Sequence, residues 1–301
     1  MKNKHLIVIA GPTGIGKTAL AIEVAQHYNT EIISADSRQF YKELNIGVAR
    51  PSKEELEAVQ HHFVCSHSIK EPLSAGRFAN QAHEKIQQLF SHKDYVIVVG
   101  GSGLFIDAII KGLDDLPSDT SLKRELELEW NNQGLEHLQN KLAALDPEYF
   151  HSMDQNNPHR LIRAIEVCLL TNQKYSDLRK GKEEALPYAV DLFVLNTDRN
   201  YLYERINKRV DIMMEEGLEE EARSLYHLKE LVALNTVGYK ELFEYFEGLC
   251  TKEIAIAKIK QHSRNYAKRQ ITWWKRDQSA IWIDPLLPTS LLSQLISNIK
   301  N

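Results

Sequence analysis

Residues 11–18 read GPTGIGKT, and their types and spacing suit one task, the holding of a phosphate. Gly11, Pro12, Thr13, Gly14, Ile15 and Gly16 form a small-residue turn whose backbone N–H groups can curl around an anion. Lys17 neutralises phosphate oxygens, Thr18 offers a hydroxyl to Mg²⁺, and a helix beginning here adds the partial positive charge of its N-terminus. A turn that merely joined strand to helix would not account for Lys17 and Thr18. Two further groups carry chemistry. "EIISADSRQFY" places Asp36 and Ser37 just past an apolar run, where the aspartate can be a metal ligand, a general base or a helix cap. "GGSGLF", from Gly100, is a second small-residue turn in which Ser102 supplies a hydroxyl; its plainer reading is a tight connection.

These residues need elements to place them. "LIVIA", 6–10, precedes the first glycine turn as a strand, and Ala21, Val24, Ala25 and Tyr28 recur after it at helical spacing. "EIIS", 31–34, and "YVIVV", 95–99, are short apolar runs of strand length, and Phe78, Ala82, Ile86 and Leu89 mark a helix between them. Runs bounded this way imply parallel strands covered by helices on both faces, an α/β fold of the P-loop NTPase type. "LFVLN", 192–196, and "AIWID", 280–284, continue the strands. Ligands of such a sheet gather beyond the C-terminal strand ends, so Asp36, Ser102 and the phosphate loop should face one crevice. "YVIVV" lacks the terminal acid that supports the metal in P-loop ATPases, which weakens a motor or switch reading. Residues 114–188 have helical periodicity and no convincing strand, so they read as an inserted all-helical domain in a core of 1–113 and 189–301. Within the insertion Leu161, Ile165, Cys168 and Leu169 form an apolar stripe, with Arg160 and Arg163 on another side of the same helix. Residues 200–247 are also helical, with Leu202, Ile206, Val210 and Met213 on one face.

The 301 residues, 43% hydrophobic and 26% charged, are those of an ordinary globular chain. No segment approaches the roughly 18 uninterrupted apolar residues of a membrane span, and the apolar stretch at the N-terminus is too short for a signal peptide, so the cytoplasm is expected. Cys65, Cys168 and Cys250 lack paired or metal spacing and are expected to be buried and reduced, without structural zinc. "HHF", 61–63, has no metal spacing either. The net charge of −4 argues against bulk coating of nucleic acid. Residues 251–276 nevertheless hold eight Lys or Arg against one Glu. There Lys260, Arg264 and Lys268 share a helix face, interleaved with Tyr266, Trp273 and Trp274, a mixture that suits RNA or a solvated helix with aromatics in the core. The sequence fixes no oligomeric state; a monomer is the default.

Together these motifs resemble the tRNA dimethylallyltransferases, also called tRNA isopentenyltransferases. The resemblance runs through "GPTGIGKT", "SADSRQFY", "IGVARPS", "GGSGLF", "NPHRLIRAIEV", "RVDIMMEEGLEEEA", "TVGYKEL" and "YAKRQITWWKR", in the family's order. Lacking a C-terminal zinc-finger pattern, the chain is similar to the bacterial form. The family implies transfer of a dimethylallyl group from dimethylallyl diphosphate to the N6 amine of the adenine beside the anticodon, in tRNAs reading codons that begin with U, with Mg²⁺ as cofactor. It assigns Lys17 and Thr18 to the diphosphate and its metal, Asp36 to accepting the amine proton or hydrogen-bonding the amine, and Ser102 to the phosphates or the metal, with Lys17, Asp36, Ser102 and Arg223 as the catalytic set. It assigns tRNA contact to Asp36, Ser37, Arg38, Gln39, Ser102, Arg124, Arg160, Leu161, Ile162, Arg163, Ala164, Arg264, Lys268 and Arg269. Ser102, Phe105 and Asn157 stand where the family often has Thr, Tyr and Asp. A nucleotide or small-molecule kinase, and an RNA-binding module with a regulatory phosphate site, share parts of this pattern and stay open.

Overall fold

The computed structural model describes residues 4–114, 116–179, 186–287 and 290–299. The chain divides into two compact units, one of Met1–Ile110 with Ala185–Asn301 and one of Lys111–Glu184.

The first unit is built on a parallel six-stranded sheet: β1 (His5–Ala10), β2 (Ile32–Ser34), β3 (His61–His62), β4 (Tyr95–Gly100), β5 (Ala189–Leu195) and β6 (Ile281–Ile283), in the order β3-β2-β4-β1-β5-β6. Its central strands read as unbroken apolar runs because helices cover both faces; Leu6, Val8, Val96 and Val98 face one core, Ile7, Ile9, Ile97 and Val99 the other. The helices before the insertion are α1 (Lys17–His27), α2 (Lys53–Ala58), α3 (Ala75–Phe90) and α4 (Gly103–Ile110). The second unit holds α5 (Thr120–Gln133), α6 (Leu135–Leu145), α7 (Pro147–Ser152), α8 (Pro158–Thr171) and α9 (Tyr175–Leu178), around a core of Leu126, Leu138, Leu142, Leu161 and Ile165. Returning to the first unit, the chain forms α10 (Arg199–Glu215), α11 (Leu218–Leu225), α12 (Tyr239–Phe246), α13 (Lys252–Trp274) and α14 (Leu291–Asn298). Capping side chains fix several starts: Ser74 accepts from the Arg77 amide at α3, Asp198 from Asn200 and Tyr201 at α10, and Thr251 from Ile254 at α13.

The structure departs from the sequence reading in places. The "HHF" segment contributes the edge strand β3, with His61 buried and its Nδ1 against the Val59 carbonyl at 2.8 Å. Residues 200–247 are broken at Gly217, which takes a φ of 103°, and again between α11 and α12. The insertion is drawn at Lys111–Glu184 where 114–188 was expected, because Leu186 and Tyr188 pack with the sheet unit; the Tyr188 ring lies 4.9 Å from that of Phe90. Cys168 is buried as expected, but Cys65 and Cys250 are only half-buried. Among the described residues no helix is long and apolar enough to cross a membrane.

In the second unit, Arg163 and Glu166 tie α8 to the chain entering α5. Arg163 reaches Glu166 at 2.7 Å and the Pro117 and Leu116 carbonyls at 2.8 and 3.0 Å, while Glu166 also accepts from Ser118 and the Asp119 amide. Burial pushes the Glu166 carboxyl up, yet the hydrogen bonds from Arg163, Ser118 and Asp119 more than offset it and hold it below the usual range. Arg163→Ala leaves this buried carboxylate without its cation and is expected to destabilise the insertion by about 3 kcal/mol, read as a lower urea midpoint at pH 7. The loss should shrink as pH falls through the folded Glu166 pKa, where protonation removes the pair in the parent protein as well.

Candidate active site

β1, β4 and β5 end level, with Ala10 opposite both Gly100 and Val194, and Ser34 of β2 lies opposite Val99. The phosphate loop, the 35–39 turn and the Gly100–Ser102 turn therefore emerge at one end of the sheet. In the loop, Gly14 and Gly16 adopt left-handed φ angles of 80° and 103°, which a side chain would strain, and Gly16 is the N-cap of α1. Lys17 Nζ donates to the Pro12 carbonyl at 2.8 Å. Burial pulls its ammonium pKa down to about 8, with nearby Asp36 opposing the fall and Arg209 adding to it.

Two cavities meet here. One, of about 630 Å³, is lined by Lys17, Thr18, Gly100, Arg209 and Gln270; the other, of about 460 Å³, carries Arg38 and Arg269 beside an apolar wall of Val210, Met213, Leu218 and Ile259. Asp36, Arg209 and Tyr266 line both. Asp36 is half-buried, and its Oδ1 accepts from the amides of Arg38 and Gln39 at 2.9 and 3.3 Å. It thus caps the turn with one oxygen, while Oδ2 takes no partner among the described residues.

Ser37 and Arg38 line the second cavity. Ser102 is 8% exposed and lines neither; its Oγ accepts from the Ser37 amide at 3.0 Å, which joins the two turns. Gln39 lines the phosphate cavity, and its amide donates to the Val48 and Ala49 carbonyls, buttressing the "IGVARPS" loop. That loop is pinned from its other side by Glu221, which accepts from the Ile46 and Gly47 amides at 2.8 and 3.0 Å and from the Tyr239 hydroxyl at 2.6 Å. Burial, and then Glu221, push the Tyr239 phenol pKa upward. Glu221→Ala strands three donors and is expected to cost about 2 kcal/mol of stability, measured by thermal unfolding.

Several expected contacts sit elsewhere. Arg223 lines neither cavity; it is exposed on α11, 3.0 Å from Glu219 and over the Phe246 ring. Leu161, Ile162 and Ala164 are at most 1% exposed in the core of the insertion, so their side chains position α8 and cannot reach a ligand. Arg163 is committed to Glu166, whereas Arg124 and Arg160 are exposed. On α13, Lys260 pairs with Asp211 and Arg264 donates to Asn207, so that face packs against α10. Lys268 points into a separate notch of about 270 Å³ with Arg199 and Lys275, leaving Arg269 as the α13 cation on the crevice. Asn157 caps α8 through the Arg160 amide at 3.2 Å, and Phe105 packs its ring against those of Phe40 and Phe78.

Sequence reasoning missed Arg205, Arg209 and Gln270 as site residues. Arg205 Nε donates to the Gly14 carbonyl at 2.8 Å, and Arg209 approaches the Thr13 hydroxyl at 3.3 Å. Their spacing of four was the available signal. Tyr266, noted only among the interleaved aromatics, has its phenol pKa raised by burial and then by Asp36.

Mg²⁺ keeps several waters and usually takes one or two protein oxygens together with substrate phosphates, so the Thr18 hydroxyl on the phosphate cavity fits its chemistry. Among the described residues no cluster of His, Cys, Asp or Glu would hold a metal on protein ligands alone.

A family model described as IPP transferase matches residues 39–277. The chain is 49% identical to the tRNA dimethylallyltransferase of Christiangramia forsetii over 94% of each chain. It is 44% identical to tRNA dimethylallyltransferase 1 of Bacteroides fragilis over the whole of both. Among solved structures, the tRNA isopentenylpyrophosphate transferase of Bacillus halodurans aligns with a TM-score of 0.71 and 34% identity, covering 98% of this chain and 94% of that one. A eukaryotic dimethylallyltransferase acting on tRNA aligns with a TM-score of 0.77 and 27% identity, covering 98% and 76%.

Proposed function

The chain belongs to the IPP transferase family of tRNA dimethylallyltransferases, and on that premise we propose that it moves a dimethylallyl group from dimethylallyl diphosphate to the N6 amine of the adenine 3′ to the anticodon. The observation that carries the reading is Asp36, a carboxylate at the junction of a phosphate cavity and a partly apolar one. The diphosphate lies against Lys17 and the loop amides, with Arg209 beside it, and the allyl group points toward the junction. The adenine enters through the second cavity, past Arg38 and Arg269. As the allylic C–O bond breaks, Lys17, Arg209 and the amide donors stabilise the negative charge that develops on the leaving diphosphate. The N6–C bond forms, and Asp36 accepts the amine proton. Bound Mg²⁺, held from the protein side by Thr18, would supply Lewis-acid stabilisation of the same leaving group. A base that must leave its stack does so more readily from an anticodon loop than from a duplex.

The exposed Arg124 and Arg160 present the insertion to the anticodon stem-loop of tRNAs reading codons that begin with U, and the enzyme works in the cytoplasm as a monomer. Incubation with unmodified tRNA, Mg²⁺ and labelled dimethylallyl diphosphate tests the reading, with label expected in the RNA. Consumption of ATP without the prenyl donor would make the protein a kinase; tRNA binding with neither donor consumed would make it an RNA-binding module.

A further inference from the structure

Gln270 lies on the crevice side of α13 and is 5% exposed. Its Oε1 accepts from the Thr13 amide at 2.9 Å, and its Nε2 donates to the Gly101 carbonyl at 2.8 Å. The two partners dictate the orientation of the amide, because a backbone N–H only donates and a carbonyl only accepts. One side chain therefore bridges the phosphate loop and the turn that carries Ser102. The approach is close enough that a Cβ added at Gly101 would fall 2.2 Å from Nε2. The bridge also engages the Thr13 N–H, so the anion cradle consists of the amides that follow it in the loop.

We propose that Gln270 is a positioning residue for prenyl transfer: it sets the separation between the diphosphate loop and the Ser102 turn, and through Ser102 the place of the 36–39 turn. This rests on the proposed function for its kinetic consequence, while the geometry itself stands without it. The linkage is continuous, since Gln270 holds Gly101, Ser102 adjoins Gly101, and Ser102 Oγ holds the Ser37 amide beside Asp36. The primary amide supplies both an acceptor and a donor from one planar group. Glutamate keeps the first bond and sets a carboxylate oxygen against the Gly101 carbonyl; alanine loses both.

The experiment compares the wild type with Gln270→Ala, Gln270→Glu, Gly101→Ala and the double variant Gly101→Ala/Gln270→Ala. Affinity for inorganic diphosphate is measured by calorimetry, kcat and KM for transfer by label incorporation, and folding by thermal melts. Gln270→Ala and Gln270→Glu should each lower kcat/KM by about 10–100-fold while tRNA affinity stays level, with Gln270→Glu the more severe. Gly101→Ala should weaken diphosphate binding about tenfold in the wild type and have little effect once Gln270 is alanine, because the clash is with that amide. Equal diphosphate affinity in wild type and Gln270→Ala, or purely additive losses in the cycle, would overturn the proposal. Since diphosphate binding needs no transfer, a wild type that binds it normally but labels no RNA would reject the proposed function and still decide the role of Gln270. Should Gln270→Ala melt below the assay temperature, Gln270→Glu is read alone, without the cycle, and a diphosphate affinity equal to that of the wild type would overturn the proposal.

Discussion

Asp36→Asn is expected to lower kcat for prenyl transfer by about 10²–10⁴-fold, with the tRNA affinity and the melting temperature close to those of the parent. The choice of asparagine separates the two duties of the side chain. Its carbonyl oxygen still accepts from the Arg38 and Gln39 amides, as Asp36 Oδ1 does, so the 36–39 turn is retained. What is lost is the negative charge and the capacity to take a proton at the junction of the cavities. Asp36→Ala removes both duties, so comparing the two variants by kcat and by thermal melts divides the chemical loss from the structural one. Full transfer activity in Asp36→Asn would dismiss the carboxylate as base.

The second large effect concerns Lys17. Lys17→Met is expected to raise KM for dimethylallyl diphosphate by about 10²-fold, because a charge-assisted contact to the leaving group is removed from a partly desolvated site. A pH series on the parent protein gives an independent signature. With the ammonium pKa pulled from 10.5 to about 8 in the free enzyme, diphosphate affinity should fall as pH rises through about 8, and binding above that pH should take up a proton. Fold stability moves the other way. Between about 8 and 10.5 the unfolded chain holds a proton that the folded chain has released, so the Lys17 contribution makes the ligand-free protein more stable as pH rises across that window. Lys17→Met should abolish both slopes. A diphosphate affinity flat from pH 7 to 9.5 in the parent would rule out Lys17 as the titrating contact.

The phosphate loop was legible in the sequence because its requirements are local: an apolar strand, glycines able to take left-handed φ, and a cation with a hydroxyl at the helix start. The strands beside it were legible for the same reason, each being a buried run of a few aliphatic residues. β3 was not, since His61–His62 is a two-residue edge strand made of polar residues, formed by pairing with Ile32–Ile33 and not by any pattern of its own. The basic helix shows the limit more sharply. Its spacing placed Lys260, Arg264 and Lys268 on one face, but only the docking of α13 against α10 settles which cations meet Asp211 or Asn207 and which face the crevice. Gln270 had no sequence signal, because a glutamine among lysines reads as solvated until the neighbouring turns are seen to close on it. Leu161, Ile162 and Ala164 entered through a motif, yet Leu161 already belonged to the apolar stripe that buries them.

The pairing of β1 also bears on how the protein is made. His5 finds Tyr95 on one flank, but its other neighbour is Ala189, which lies beyond the whole insertion. At about 5–20 residues per second of synthesis, the strand that carries the phosphate loop leaves the ribosome many seconds before β5 exists to close its open edge. A nascent or truncated chain ending before β5 would expose the apolar edge "HLIVIA" to any other unpaired strand. The helices that fold locally between β4 and β5 thus set a delay, during which the edge of β1 that β5 will cover stays open to other unpaired strands.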